Sequence, residues 1–108
     1  MPTYNKLVRD KIPEVIANTG KSFNTTLLEN DQYIRELKNK CYEELDEYAS
    51  AESDEHAIEE LADLLELMHA LAKVNGADIS EVERVRQEKA EKRGGFEKRI
   101  FLVDVEDE

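Results

Sequence analysis

Residues 34–72 read IRELKNKCYEELDEYASAESDEHAIEELADLLELMHALA, and this stretch decides the fold. In its first half Ile34, Leu37, Cys41, Leu45 and Tyr48 step by 3, 4, 4 and 3, the spacing that places apolar side chains on one face of an α-helix. In its second half Ile58, Leu61, Leu64, Leu65, Leu67, Met68 and Leu71 spread over roughly half a helix circumference at ~100° per residue. Between them, Ser53 and Asp54 supply a helix start after a brief break. The pattern therefore predicts two long helices joined by a turn. The first is capped at Asn30 or Asp31 and runs to about Ala51, and the second ends at Asn75-Gly76.

Working outward, Asp10 or Lys11 opens a short first helix, with Pro13 in its first turn and Asn18-Thr19-Gly20 at its end. Residues 21–29 hold β-branched threonines in a weak alternation and read as an extended connector or short strand. Ser80-Glu81-Val82-Glu83 has the form of a capping box opening a fourth helix that runs to Gly94-Gly95. Phe96 to Val105 reads as a strand or an extended arm. No repeat, low-complexity stretch or linker divides the chain. The expected architecture is a single domain over residues 1–108, an all-α bundle of about four helices. The wide apolar arc of the third helix needs more partners than one short chain supplies, so the bundle is expected to be an oligomer, a dimer or a tetramer.

The composition narrows the function. Of the 108 residues, 40% are hydrophobic and 38% charged, enough for a small core. No stretch approaches the ~20 apolar residues of a spanning helix, so no membrane association is expected. The opening residues are polar and do not form a secretory leader, and the single cysteine, Cys41, has no intrachain disulfide partner. A cytoplasmic location is the expectation. The net charge is −11, and residues 29–66 hold 14 acidic against 3 basic side chains. Duplex nucleic acid is excluded as a partner by the lack of dense positive charge. Residues 1–28 and 81–99 are mildly basic and flank the acidic block. Charge alone fits a solvated acidic surface. It also fits carboxylates that hold metal, with cations nearby for an anionic substrate.

The positions of the acids separate these readings. Glu44 and Glu47 form E-x-x-E on the second helix, and Glu60 and Asp63 form E-x-x-D on the third, each pair on one helical face. Twelve residues, 48–59, lie between the pairs, enough to turn and start an antiparallel neighbour. Winding the helices puts Glu44 and Glu60 within the apolar seam, with Glu47 and Asp63 on its borders, whereas Glu59 and Glu66 project away. Charges near a core are costly unless paired or bound to metal. No cluster of Lys or Arg on these helices neutralises them, and hard oxygen donors suit Mg²⁺ or Mn²⁺ better than zinc.

E-x-x-E followed after this gap by E-x-x-D resembles the signature of the all-α nucleoside triphosphate pyrophosphohydrolases. That superfamily includes MazG-like proteins, dimeric dUTPases and phosphoribosyl-ATP pyrophosphohydrolase. The opening YNKLVRDKIPE (residues 4–14) and the closing KAEKRGGF (residues 89–96) are similar to the small single-domain MazG-like branch. The resemblance spans most of the chain outside residues 21–30 and the last few. It implies Mg²⁺-dependent hydrolysis between the α and β phosphates, giving nucleoside monophosphate and pyrophosphate. It also implies that Glu44, Glu47, Glu60 and Asp63 hold the metal. Glu47, furthest out on the seam, is the candidate that accepts a proton from water. Phosphates would then meet Lys89, Lys92 and Arg93 on the fourth helix, and Arg9 and Lys11, with Lys6, near the amino terminus. Each of these six cations has an ordinary solvated role as its alternative.

Other groupings are weaker. Gly94-Gly95 lacks the P-loop pattern and follows a helix. Cys41 reads as a small core residue, and His56, one turn before Glu60, as a polar boundary residue. Glu66 and His69 form E-x-x-H, as in di-iron bundles, but face away from the arc centre. Two functional alternatives stay open: phosphoribosyl-ATP hydrolysis in histidine biosynthesis, and a non-catalytic helical adaptor that binds nucleotide or protein.

Overall fold

The computed structural model describes residues 2–107, and within them the chain forms four α-helices and no strand. They are α1 (Ile12–Ala17), α2 (Asn30–Ala49), α3 (Asp54–Val74) and α4 (Ile79–Arg93). The two long helices make a helical hairpin that is the centre of the fold, and α4 packs on α3. This is the all-α arrangement that the 3,4 spacing of apolar residues dictates.

The helix ends show where local chemistry competes. Pro13 sits in the first turn of α1, where its missing N–H costs nothing, and Gly20 has a φ of 80° beyond the last turn. Ser53 caps α3 as its sequence suggests, its hydroxyl accepting from the His56 N–H at 3.1 Å. Two caps differ from expectation. Asn30 is the first residue of α2 rather than its cap, and Glu29 takes the cap position through its backbone carbonyl, 2.8 Å from the Tyr33 nitrogen. The fourth helix starts at Ile79 because the Asp78 carboxylate accepts from the Ser80 and Glu81 backbone N–H groups. Ser80 also donates its hydroxyl to Asp78, and Glu83 pairs with Arg86, so the capping box does not form. A full carboxylate charge at the positive end of the helix outcompetes the serine. Ser50 closes α2 with its hydroxyl on the Asp46 carbonyl, two residues short of the expected end.

Residues 21–29 are an extended connector without strand pairing, and after a turn closed by the Arg99 N–H on the Phe96 carbonyl, residues 99–107 form an extended arm. Lys6 and Leu7 of the amino-terminal segment lie beside Glu36, Lys40 and Glu43 of α2.

The buried hydrophobic core is confined to Leu37 and Ala72, in the half of the hairpin near the start of α2 and the end of α3. Cys41, Leu64, Leu67 and Leu71 are half-buried, whereas Leu45, Ile58, Leu61, Leu65 and Met68 are exposed. The chain extends 64 × 36 × 25 Å with a radius of gyration of 18.7 Å. A compact chain of this length has a radius of about 13 Å. No helix among the described residues is long and apolar enough to cross a membrane.

Candidate metal centre

Three glutamates converge where α2 faces α3. Glu44, Glu47 and Glu60 each bring a carboxylate oxygen within 4.8 Å of the others. The spacing that produces this is simple: Glu44 and Glu47 lie one turn apart on α2, and the hairpin returns Glu60 to the same level on α3. Glu44 and Glu60 are buried, 8% and 7% exposed, and Glu47 is exposed at the border. The inward winding of Glu44 and Glu60, and the outward place of Glu47, follow the helical projection of the sequence.

Burying these acids together has an electrostatic consequence. The Glu44 carboxyl is pushed up from an ordinary 4.5 to about 7, first by a hydrogen bond shared with Glu60, then by burial and by the charges of Glu47, Asp63 and Glu60. The same hydrogen bond from Glu44 holds Glu60 down, but burial together with Glu47 and Asp63 outweighs it, and Glu60 too is raised. Both carboxyls thus favour the protonated form more than a free glutamate does, because two like charges in a poorly solvated seam cannot both ionise freely. One oxygen of each, Glu44 Oε2 and Glu60 Oε2, is buried with no hydrogen-bond partner. A buried acceptor without a donor is a cost that a cation removes.

The fourth acid stands apart. Asp63 accepts a hydrogen bond from Arg9, Nη2 to Oδ1 at 2.6 Å, and is not a member of the close set of three. Arg9 is therefore beside the carboxylates, but engaged with one of them. Lys11, Lys89, Lys92 and Arg93 are exposed, and none makes an ion pair with the cluster among the described residues. His56 does reach it: Nε2 lies 3.1 Å from Glu60 Oε1. Its spacing of four residues before Glu60 carries that contact, although a boundary histidine reads the same way in sequence. Cys41, half-buried one turn before Glu44, has its thiol pushed up by burial and by the Glu44 charge, so it is held as a neutral thiol.

The donor set fits a hard divalent cation. An octahedral Mg²⁺ with bonds near 2.1 Å sets opposite ligands roughly 4.2 Å apart, close to the span of the three glutamates, and completes its shell with water or phosphate oxygen. An open concavity of about 510 Å³ lies over the α2–α3 turn, lined by Tyr48, Glu52, Ser53 and Asp54 among others, and contains none of the three glutamates. No protein-family profile, curated protein or solved structure matches the chain.

Proposed function

We propose that this protein is a Mg²⁺-dependent nucleoside triphosphate pyrophosphohydrolase that acts as a homo-oligomer in the cytoplasm. The observation that carries the proposal is the pair of buried glutamates, Glu44 and Glu60, each with an unpartnered oxygen and joined at the border by Glu47. Support also comes from the resemblance of the E-x-x-E and E-x-x-D spacing to the all-α pyrophosphohydrolases.

Under this reading Glu44, Glu47 and Glu60 hold Mg²⁺, or Mn²⁺ in its place, and Asp63 completes the set when Arg9 releases it. A metal held there would neutralise charge on the phosphate oxygens and orient water for in-line attack on the α phosphorus, breaking its bond to the α–β bridging oxygen with pyrophosphate leaving. The chain's own residues do the rest. Glu47 faces solvent, where a carboxylate can accept the proton of the attacking water. Arg9 offers a planar fork to phosphate oxygens, and Lys11, Lys89, Lys92 and Arg93 offer further positive charge on the leaving pyrophosphate. Glu44 and Glu60 would have to be ionised to hold a metal, so its binding would release the protons that their raised carboxyls retain.

Pyrophosphate release from a panel of nucleoside triphosphates and phosphoribosyl-ATP, with and without Mg²⁺, tests the proposal. Release that needs Mg²⁺ and falls by at least about 100-fold in Glu60→Gln is expected, the scale of losing one electrostatic stabiliser of a reacting centre. Folded protein that binds Mg²⁺ yet releases nothing from any substrate would favour a binding role. Folded protein that binds no Mg²⁺ would remove the metal centre itself.

A further inference from the structure

The largest unpartnered apolar surface of the chain is its carboxy-terminal arm. Gly94, with a φ of 81°, ends α4 and turns the chain away from the bundle. Beyond it Phe96 is 99% exposed and Phe101 87%, and Ile100, Leu102, Val103 and Val105 are exposed with them. After the turn at Phe96–Arg99 the arm's backbone makes no hydrogen bond within the described chain. Six apolar side chains and an unpaired extended backbone do not persist in water without a cover.

The same chain carries a matching deficit elsewhere. The open half of the hairpin presents Leu45, Tyr48, Ile58, Leu61, Leu65 and Met68 to solvent. The arm and this face are both uncovered at once, so the chain does not satisfy one with the other internally. Lys98 and Arg99 form no ion pair among the described residues, and Glu97 and Asp104 leave residues 96–105 without net charge, so the fit between arm and face is apolar. The area is sufficient as well. The chain exposes 10170 Å², whereas a compact monomer of this mass exposes roughly 6,200 Å². The excess exceeds the ~1,000–2,500 Å² that each partner contributes to a tight obligate dimer.

We propose that the arm Phe96–Val105 of one copy seats on the open α2–α3 face of a second copy, and that the second copy's arm returns the contact, giving a reciprocal arm-exchanged dimer. Two-fold exchange covers both arms and both faces at once and closes the assembly, so no sticky surface is left to propagate. The first turn of each arm, with Lys98 and Arg99, then lies against acidic helices of the other copy. The inference goes beyond the hydrolase reading, and its test is read by mass and isotope rather than by turnover.

The test uses the full chain. Light and ¹⁵N-labelled protein are mixed, exchanged and treated with a carbodiimide, which links lysine amines to carboxylates at zero length. Sedimentation is expected to give a dimer, and peptides joining Lys98 to α2–α3 carboxylates are expected to carry mixed isotopes. The double variant Phe101→Asp, Leu102→Asp alters side chains that are exposed within one copy and lie outside the helices, so its helicity should match the wild type. Its monomer–dimer midpoint is expected at a concentration at least about tenfold higher, the effect of removing a buried aromatic anchor. A monomeric wild type, Lys98 links confined to one isotope, or a variant with an unchanged midpoint would each overturn the arm exchange.

Discussion

Arg9 reaches across 54 positions of sequence to Asp63, with Nη2 2.6 Å from Oδ1, and so fastens the amino-terminal segment to α3 one turn beyond Glu60. Both side chains are about half exposed, so the pair itself is worth only about 0–1 kcal/mol. Its larger effect is on the donor set. While Arg9 holds Asp63, three carboxylates rather than four are close together. Arg9→Ala is therefore expected to leave the melting temperature of metal-free protein within a few degrees of wild type, while Mg²⁺ binds several-fold more tightly. Calorimetric titration with Mg²⁺ measures this directly. An affinity that is unchanged or weaker would mean that Asp63 is no ligand.

The raised carboxyls of Glu44 and Glu60 predict how the metal-free protein responds to pH. Glu44 is raised from 4.5 to about 7 in the folded chain, and Glu60 is raised as well. Between these values the folded state holds more protons than the unfolded state, so this site's contribution to stability falls as pH rises from about 4.5 through 7. Glu44→Gln removes the titration while keeping a hydrogen-bond donor toward Glu60. Other acids, such as Asp78, whose carboxyl is held down first by the Ser80 hydroxyl, act in the opposite sense. The informative quantity is accordingly the difference between variant and wild type. In a chelating buffer, the variant's melting temperature should gain on the wild type's as pH rises, by several degrees at pH 8. Saturating Mg²⁺ should erase or invert that gain. A difference that does not change with pH would exclude the upward shift at Glu44.

The sequence makes the hairpin and its three glutamates legible for one reason: both rest on spacing within a helix. Steps of 3 and 4 put Leu37 and Cys41 on the face that also carries Glu44, and the same rule places Glu60 near Leu64 and Leu71. What spacing does not contain is contact between distant segments. Arg9 and Asp63 each stand out in the sequence, one as a phosphate-binding candidate and one as a metal ligand, yet nothing local says that they meet. The cap of α4 departs from expectation for a different reason, while at α2 no side chain caps the first turn. At the start of α4 the Asp78 carboxylate prevails over the Ser80 hydroxyl for the same N–H donors. The arm at 96–105 reads as either strand or extended arm because an apolar run such as Ile100–Val103 becomes a strand only when another strand is present to pair with it.

The caps give a prediction that is independent of function. Ser53 starts α3, the helix that carries Glu60, and its side chain satisfies the His56 N–H. Ser53→Ala should cost about 1 kcal/mol, lowering the melting temperature by about 4–8 °C for a chain of this size. At α4 the order of effects separates the two candidate caps. Asp78→Ala is expected to destabilise the protein clearly more than Ser80→Ala, since Ser80 donates to Asp78 and caps nothing itself. Thermal melts of the three variants, followed by helical circular dichroism, decide it. Equal losses at Asp78 and Ser80 would restore the capping box.

Glu47 and Glu60 differ in burial, and the difference predicts separate kinetic signatures. Glu60 is enclosed, meets His56 through one oxygen and leaves the other unpartnered, so its neutralisation should remove both metal binding and turnover. Glu47 contributes an oxygen to the same set but faces solvent, where a water can reach it. Glu47→Gln is expected to weaken Mg²⁺ binding by about tenfold or less, while kcat at saturating Mg²⁺ falls by about 10²–10⁴, the range for losing a general base. If instead saturating Mg²⁺ restores full turnover to Glu47→Gln, the residue is only a ligand and the proton acceptor lies elsewhere in the site.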